Sequence, residues 1–222
     1  MSGDLDQFGP VVIATQFDEA VQNTLEEWAP TYLRFIERQL GLEPEWLSNP
    51  RSYVVTSDWD HFPEEKLPAI LIMSSEIAKP EMDGRKEYRA HFPIDIGIFV
   101  SAKDRKSTEK LAKYYGAAIR TLLLQNGSLS TKAQREAKAP GIAVTTAWEG
   151  EKFDVHEADT SQRTIGTAEV KFSTEVRQIV TRLGGPKEPL PPPQGEPAGW
   201  PTVTKTTPIV IDAEPILGSV KD

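Results

Sequence analysis

The sequence predicts an α+β fold: an antiparallel or mixed four-stranded sheet with a kinked N-terminal helix and one central helix packed on one face, plus an extended C-terminal arm. Three observations carry this. Tyr88, Ala90, Phe92, Ile94, Ile96, Ile98 and Val100 fall on alternate positions, with Arg89, His91, Asp95, Gly97 and Ser101 between them. Successive side chains of a strand point to opposite faces, so this segment has one apolar and one largely polar face. After Ser101 the period lengthens: Leu111, Tyr114, Tyr115, Ala118, Ile119, Leu122 and Leu123 follow the spacing of a helix buried along one stripe. The period of two then returns, with Ala168, Val170, Phe172, Thr174 and Val176 set against Thr167, Glu169, Lys171, Ser173, Glu175 and Arg177. An apolar sheet face and an apolar helix stripe bury one another.

Taken in order, Met1–Pro10 is polar, and residues 1–14 read as a flexible N-terminus. Thr15 and Asp18 resemble a capping box, opening a helix that carries Phe17, Val21, Leu25 and Trp28. Pro30 lacks a backbone N–H, so it kinks this helix or starts a second one. Tyr32, Leu33, Phe35, Ile36 and Leu40 continue the buried face as far as Gly41. The stretch from Glu43 to Lys66 is irregular, with Tyr53–Val55 as a short edge strand. Ala69–Met73 is a compact apolar strand. Residues 75–87 are a charged hairpin arm turning at Asp83-Gly84. Pro93 gives the long strand a free stretch of edge or a bulge. Ser101 or Asp104 caps the central helix and Asn126-Gly127 ends it.

Residues 128–139 are a loop or weak helix, and Ile142–Trp148 is a third strand. Phe153–Asp159 is an acidic connector holding Asp154, His156, Glu157 and Asp159, and Thr164–Val180 is the fourth strand. The core domain is therefore 15–183. Beyond it, 184–222 is a separate arm. Pro189, Pro191, Pro192, Pro193 and Pro197 favour extended backbone, and the 208–211 tip (Ile209, Val210 and Ile211 after Pro208) is strand-like. A spacer with a β-prone tip suits strand addition on another subunit.

Composition narrows the function. The chain has 222 residues, 38% hydrophobic and 26% charged, with a net charge of −8. That balance argues against general affinity for nucleic acid, which rests on neutralised phosphates. The absence of cysteine excludes disulfides, thiolate zinc sites and a cysteine nucleophile. No apolar run approaches the roughly 20 residues of a membrane span, and no signal-peptide layout is expected. Phosphate-binding glycine loops, nucleophile elbows and His-Glu-x-x-His helices are missing. Asp58, Asp60 and His61 offer metal ligands, but open sites draw on more than one segment, so a polar turn is the reading there. The expectation is a non-enzymatic protein without cofactor or metal, partnered by protein.

One family shares the layout. The kinked first helix, Leu67-Pro68-Ala69-Ile70-Leu71-Ile72, the charged hairpin, Phe92-Pro93-Ile94-Asp95-Ile96-Gly97-Ile98, the 111–123 helix and Glu169-Val170-Lys171-Phe172-Ser173-Thr174-Glu175-Val176 together resemble long-tailed bacteriophage tail terminators over about 15–183. The resemblance implies a ring, usually of six subunits, that caps the tail tube and meets the head–tail connector or stopper protein. DNA would pass through it without specific binding. The implied place is the virion's head–tail junction, after assembly in the host cytoplasm. Glu76, Lys79, Glu81, Asp83, Arg85, Lys86, Glu87 and Arg89 of the arm, with Ile209, Val210 and Ile211 of the tip, are the candidate subunit or partner interface. Alternatives are another neck component (a head-completion or connector adaptor protein), a tail-tube subunit, or, in a different class, a small metal-dependent hydrolase using Asp58, Asp60 and His61.

Overall fold

In the computed structural model the elements run α1 (Ala14–Leu40), β1 (Ser52–Val55), β2 (Ala69–Met73), β3 (Ala78–Asp83), β4 (Glu87–Ser101), α2 (Arg105–Gln125), β5 (Ser128–Leu129), α3 (Lys132–Glu136), β6 (Ile142–Glu157) and β7 (Thr164–Thr181). The structure describes residues 12–56, 66–74, 76–84, 87–157 and 164–181. All of them belong to one compact unit within Met1–Gly185. The expected Asp58–His61 turn and the whole 184–222 arm lie outside the described residues.

The α+β class holds, but among the described residues the sheet has seven strands rather than four. Its order is β1-β2-β4-β7-β6-β5, with β3 also on β4. Of the strands beyond the four, β1 is the expected Tyr53–Val55 edge strand and β3 belongs to the expected hairpin arm; β5, two residues long, is too short for a periodic signal. The sheet is mixed: β1 runs parallel to β2, and the other neighbours are antiparallel.

β4 is the axis. One edge pairs with β7, from Ser101 opposite Ile165 to Glu87 opposite Thr181. The other edge is shared: β2 takes Asp95–Phe99 and β3 takes Glu87–His91. Phe92, Pro93 and Ile94 fall in the gap between them, the free stretch of edge that the missing proline N–H predicts.

The core lies on one face. Phe92, Ile94, Ile96, Ile98 and Val100 of β4 and Val170, Phe172 and Val176 of β7 meet Phe17, Leu25 and Leu33 of α1 and Tyr115, Ile119 and Leu122 of α2. The Phe17 and Phe92 rings stand 4.3 Å apart, tilted by 32°. The opposite face carries a smaller apolar cluster of Ala69, Leu71, Phe99 and Ile165.

Several local expectations are corrected. α1 is one 27-residue helix that passes through Pro30, not two segments. Glu26, whose carbonyl loses its partner there, lies on the exposed side. The helix starts at Ala14, with the Gln16 side chain accepting from the Ile13 N–H at 3.4 Å, so the Thr15–Asp18 box does not form. Trp28 and Phe35 are both 42% exposed, and Leu40 is also exposed. At the other end of the core, Asp104 caps α2 by accepting from the Ser107 N–H at 2.9 Å. Residues 128–139 hold both β5 and α3. β6 continues to Glu157, so Asp154 and His156 sit on a strand rather than in a connector.

Helix α2 approaches β7 closely at Gly166. A Cβ there would stand 2.8 Å from Thr108 Cγ2, 2.9 Å from the Thr108 carbonyl oxygen and 3.3 Å from Val100 Cγ2. Thr108 is fully buried and held by its hydroxyl, which donates to the Asp104 carbonyl and accepts from the Ala102 N–H. It cannot turn aside. Gly166→Ala should therefore cost about 1–3 kcal/mol of unfolding free energy through overpacking, read by urea denaturation. An unchanged midpoint would refute this close approach.

Candidate functional site

The expected arm forms, and it is broader than a hairpin. β3 and the start of β4 turn through Gly84, whose φ of +68° suits a residue without a Cβ. The end of β7 lines the other side, so three strands make up this end of the sheet. Two irregularities shape it. β3 shifts register between Ala78 and Glu81, at Lys79 with φ +48°, and β7 shifts opposite Tyr88/Ala90, at Gln178 with φ +57°. Bulges increase local twist and bend the strand that carries them.

The interface residues expected from sequence divide by face and by partner. Glu76 is exposed just before β3, and Lys79 is exposed at its bulge. Glu81 takes an ion pair from Arg89 at 2.9 Å, and Arg89 also reaches Glu175 at 3.7 Å. Glu87 accepts from Gln178 Nε2 at 3.2–3.3 Å, tying β4 to the bulge in β7. The Asp83 backbone closes the hairpin opposite Glu87. The Asp83 side chain, Arg85, Lys86, Ile209, Val210 and Ile211 lie outside the described residues. The structure thus brings Glu81, Glu87 and Arg89 together, and adds Glu175 and Gln178 from β7.

The same charged face continues into the body. His91 Nδ1 lies 3.1 Å from Ser173 Oγ, and Lys171 sits 2.8 Å from Glu169 and 3.5 Å from Asp95. Those two carboxylates raise the Lys171 ammonium above its ordinary value, the Glu169 hydrogen bond most of all. Asp95 is itself raised, because burial outweighs the nearby cation. Among the described residues no group of three or more His, Asp or Glu is arranged to hold a metal, and no helix is long and apolar enough to cross a membrane.

Sequence reasoning missed the arm's apolar side. Tyr88 pairs with Met82 on one flank and Val180 on the other, on the face that carries the core farther along β4. Here Ala90 is still buried, but Met82 is 47% and Val180 41% exposed. An apolar groove follows, lined by Ile77, Pro80, Tyr88, Ala90, Ile179 and Val180. Val12 enters α1 beside it, donating its N–H to the Ile179 carbonyl at 2.9 Å. The available signal was Tyr88 itself, in phase with the buried positions.

Where β6 crosses α2, the bulge between Trp148 and Gly150 turns Glu151 towards the helix side. Its side chain is 9% exposed and takes an ion pair from Arg120 at 2.7 Å, while the Arg120 guanidinium lies 4.8 Å from the Trp148 ring. Burial raises Glu151 above the usual carboxylate range despite that partner. A raised folded-state value means that the folded chain binds the proton better. This contribution to stability is present at low pH and lost as pH rises through the folded value. Glu151→Gln removes it. The unfolding free energy of the native chain should therefore gain on that of the variant as pH falls from about 7 to about 4, in paired urea titrations. Parallel profiles would overturn this account.

No protein-family model matches the chain, and no curated protein matches it. Among solved structures it is similar to a chain of the "Virion of native gene transfer agent (GTA) particle", at 13% identity and a TM-score of 0.38, covering 64% of this chain and 91% of that chain. At that score the likeness fixes neither fold nor role.

Proposed function

We propose that the chain is a structural virion protein, a tail terminator whose copies form a ring that caps the tail tube and meets the head connector. The observation that carries this reading is that the sheet outruns its helical cover. Strands β3, β4 and β7 extend past the core as a bent three-stranded strip, charged on one face and apolar on the other. Enclosed chemistry has no use for such a strip, whereas a subunit that must grip a neighbour does. The family resemblance over 15–183 supplies the particular assembly.

Charge fits the same reading. A net charge of −8 on each subunit would give a ring an acidic field, through which a polyanionic genome slides without adhering.

Two measurements test the proposal. Antibody labelling of intact particles, with copy number from quantitative mass spectrometry, should give one band at the head–tail joint and about six copies, as a cyclic ring requires. Label along the whole tail, or none on the particle, would overturn it. Replacing residues 76–86 by a Gly/Ser segment of the same length removes β3, which pairs with β4 alone among the described strands, and leaves the path from Met73 to Glu87 long enough to span the strand. The variant should keep a cooperative thermal transition yet yield particles with uncapped or unjoined tails. Normal particles from that replacement would sink the assignment of the arm.

A further inference from the structure

We infer that the outward face of α2 is a subunit contact, a basic stripe between exposed tryptophans that docks on the acidic surface of a second copy. The inference rests on the ring reading and names a contact that would hold the ring.

The stripe is set by helical spacing. Lys106, Lys110, Lys113 and Arg120 stand at i, i+4, i+7 and i+14, on the side of α2 away from its buried residues. At about 1.5 Å per residue they run along roughly 21 Å. Lys103 and Arg105 add charge at the helix start. Among the described residues only Lys113 and Arg120 of these six hold a carboxylate, Glu109 and Glu151. On the outer sheet face, by contrast, Lys171 and Arg89 are each set among carboxylates. Aromatic side chains border the stripe. Lys110 lies 5.6 Å from the Tyr114 ring and Lys113 5.9 Å from the Phe153 ring, as Arg120 lies over Trp148. Trp46 packs edge-on against Tyr114, and both tryptophans are exposed.

Charge decides the occupant. Residues 103–120 hold six Lys and Arg against two Asp and Glu, a net +4. The rest of the chain holds 19 against 31, a net −12. Copies of a chain at −8 repel one another, so a stable contact has to set the segregated positive charge against that acidic remainder. Two such stripes cannot face each other, because like charges would then be opposed. The contact therefore joins unlike surfaces, head to tail, the kind that closes into a ring when the rotation permits. Nucleic acid is the competing polyanion. Each bordering ring turns a face to a cation of its own chain instead of offering it for base stacking, and beyond the stripe a net-negative chain is repelled by phosphates. Trp and Arg, by contrast, are the side chains in which the centres of protein contacts are rich.

Sedimentation velocity of the full-length chain reads the contact. The native chain should assemble into rings at about 50 mM salt and lose roughly tenfold or more in association constant at about 500 mM, where exposed charges are screened. Lys106→Glu with Lys110→Glu, both exposed, should weaken assembly at the lower salt by roughly tenfold or more at an unchanged thermal midpoint. The same charge change at Lys132 and Lys138, exposed on and just after α3, is the control and should leave assembly within about threefold of native. Lys106→Gln with Lys110→Gln should fall between, and carries the test if the reversed pair does not fold. Equal losses in stripe and control variants, or rings that form unchanged in the stripe variant, remove this inference and leave the ring reading. A stripe variant that assembles normally but loses binding to a DNA duplex of about 20 base pairs makes the face a phosphate surface and overturns the inference too. A native chain that stays monomeric at both salts removes both readings.

Discussion

The architecture depends on one missing hydrogen-bond donor. Pro93 sits in the middle of the fifteen-residue β4, and among the described residues no strand pairs with it on the β2/β3 side. A single long neighbour along that edge would meet a residue unable to donate to the ladder. The edge is instead divided, with β2 on one part and β3 on the other. The first part stands over α1 and α2 and becomes the body. The second stands beyond them and becomes the arm. With β7 running along the whole opposite edge, bulged near its end at Gln178, the two parts form one sheet.

Polar contacts then fix the helices to that sheet in register. Glu37, 3% exposed, accepts two bonds from Arg34 at 2.6 Å and one from the Leu47 N–H at 2.7 Å, while Arg34 donates to the Leu47 carbonyl. The Tyr115 hydroxyl of α2 bonds the Ser48 carbonyl in the same loop. One short loop is thereby tied to both helices. A carboxylate removed from water is tolerated when its lone pairs are satisfied in this way, and loss of a single partner from such a group typically costs about 3–5 kcal/mol. Arg120 and Glu151 hold α2 to β6 by the same logic, less completely: the Glu151 Oε1 atom has no hydrogen-bond partner, in keeping with its raised affinity for a proton.

Strands β4 and β7 and helix α2 were legible because each is long and buried on one side, so a period of two or 3.6 repeats enough times to be read. β6 was readable only as far as Trp148. Past that point its bulge shifts the phase and places Glu151, a carboxylate, on the inner face; a buried glutamate paired with a distant arginine looks like a loop residue until the fold brings Arg120 to it. Trp28 and Phe35 misled in the opposite direction. They flank the buried stripe of α1 closely enough to share its period, but its width is set by the partner surface, which sequence does not contain. The arm's charges were visible and its apolar side was not. That side is assembled from Ile77, Tyr88 and Val180, which only strand pairing brings together.

The way the sheet treats its margins separates interface from protected edge. β6 pairs with β5 only at Ile142 and Ala143, so most of its outer edge has no strand partner among the described residues. That edge carries the Trp148–Gly150 bulge and the charges of Glu149, Lys152 and Asp154, the features that discourage indiscriminate strand addition. The arm combines its own bulges with an apolar groove at which Ile77 and Val180 are exposed. Exposed apolar surface carries a solubility cost, and a chain that guards one margin with charge while leaving apolar side chains open at another concentrates that cost in one place. On the assembly role proposed above, that place is a candidate contact for a neighbour. Pro93 puts it there, by ending the helix-covered edge of β4 and letting a second edge begin.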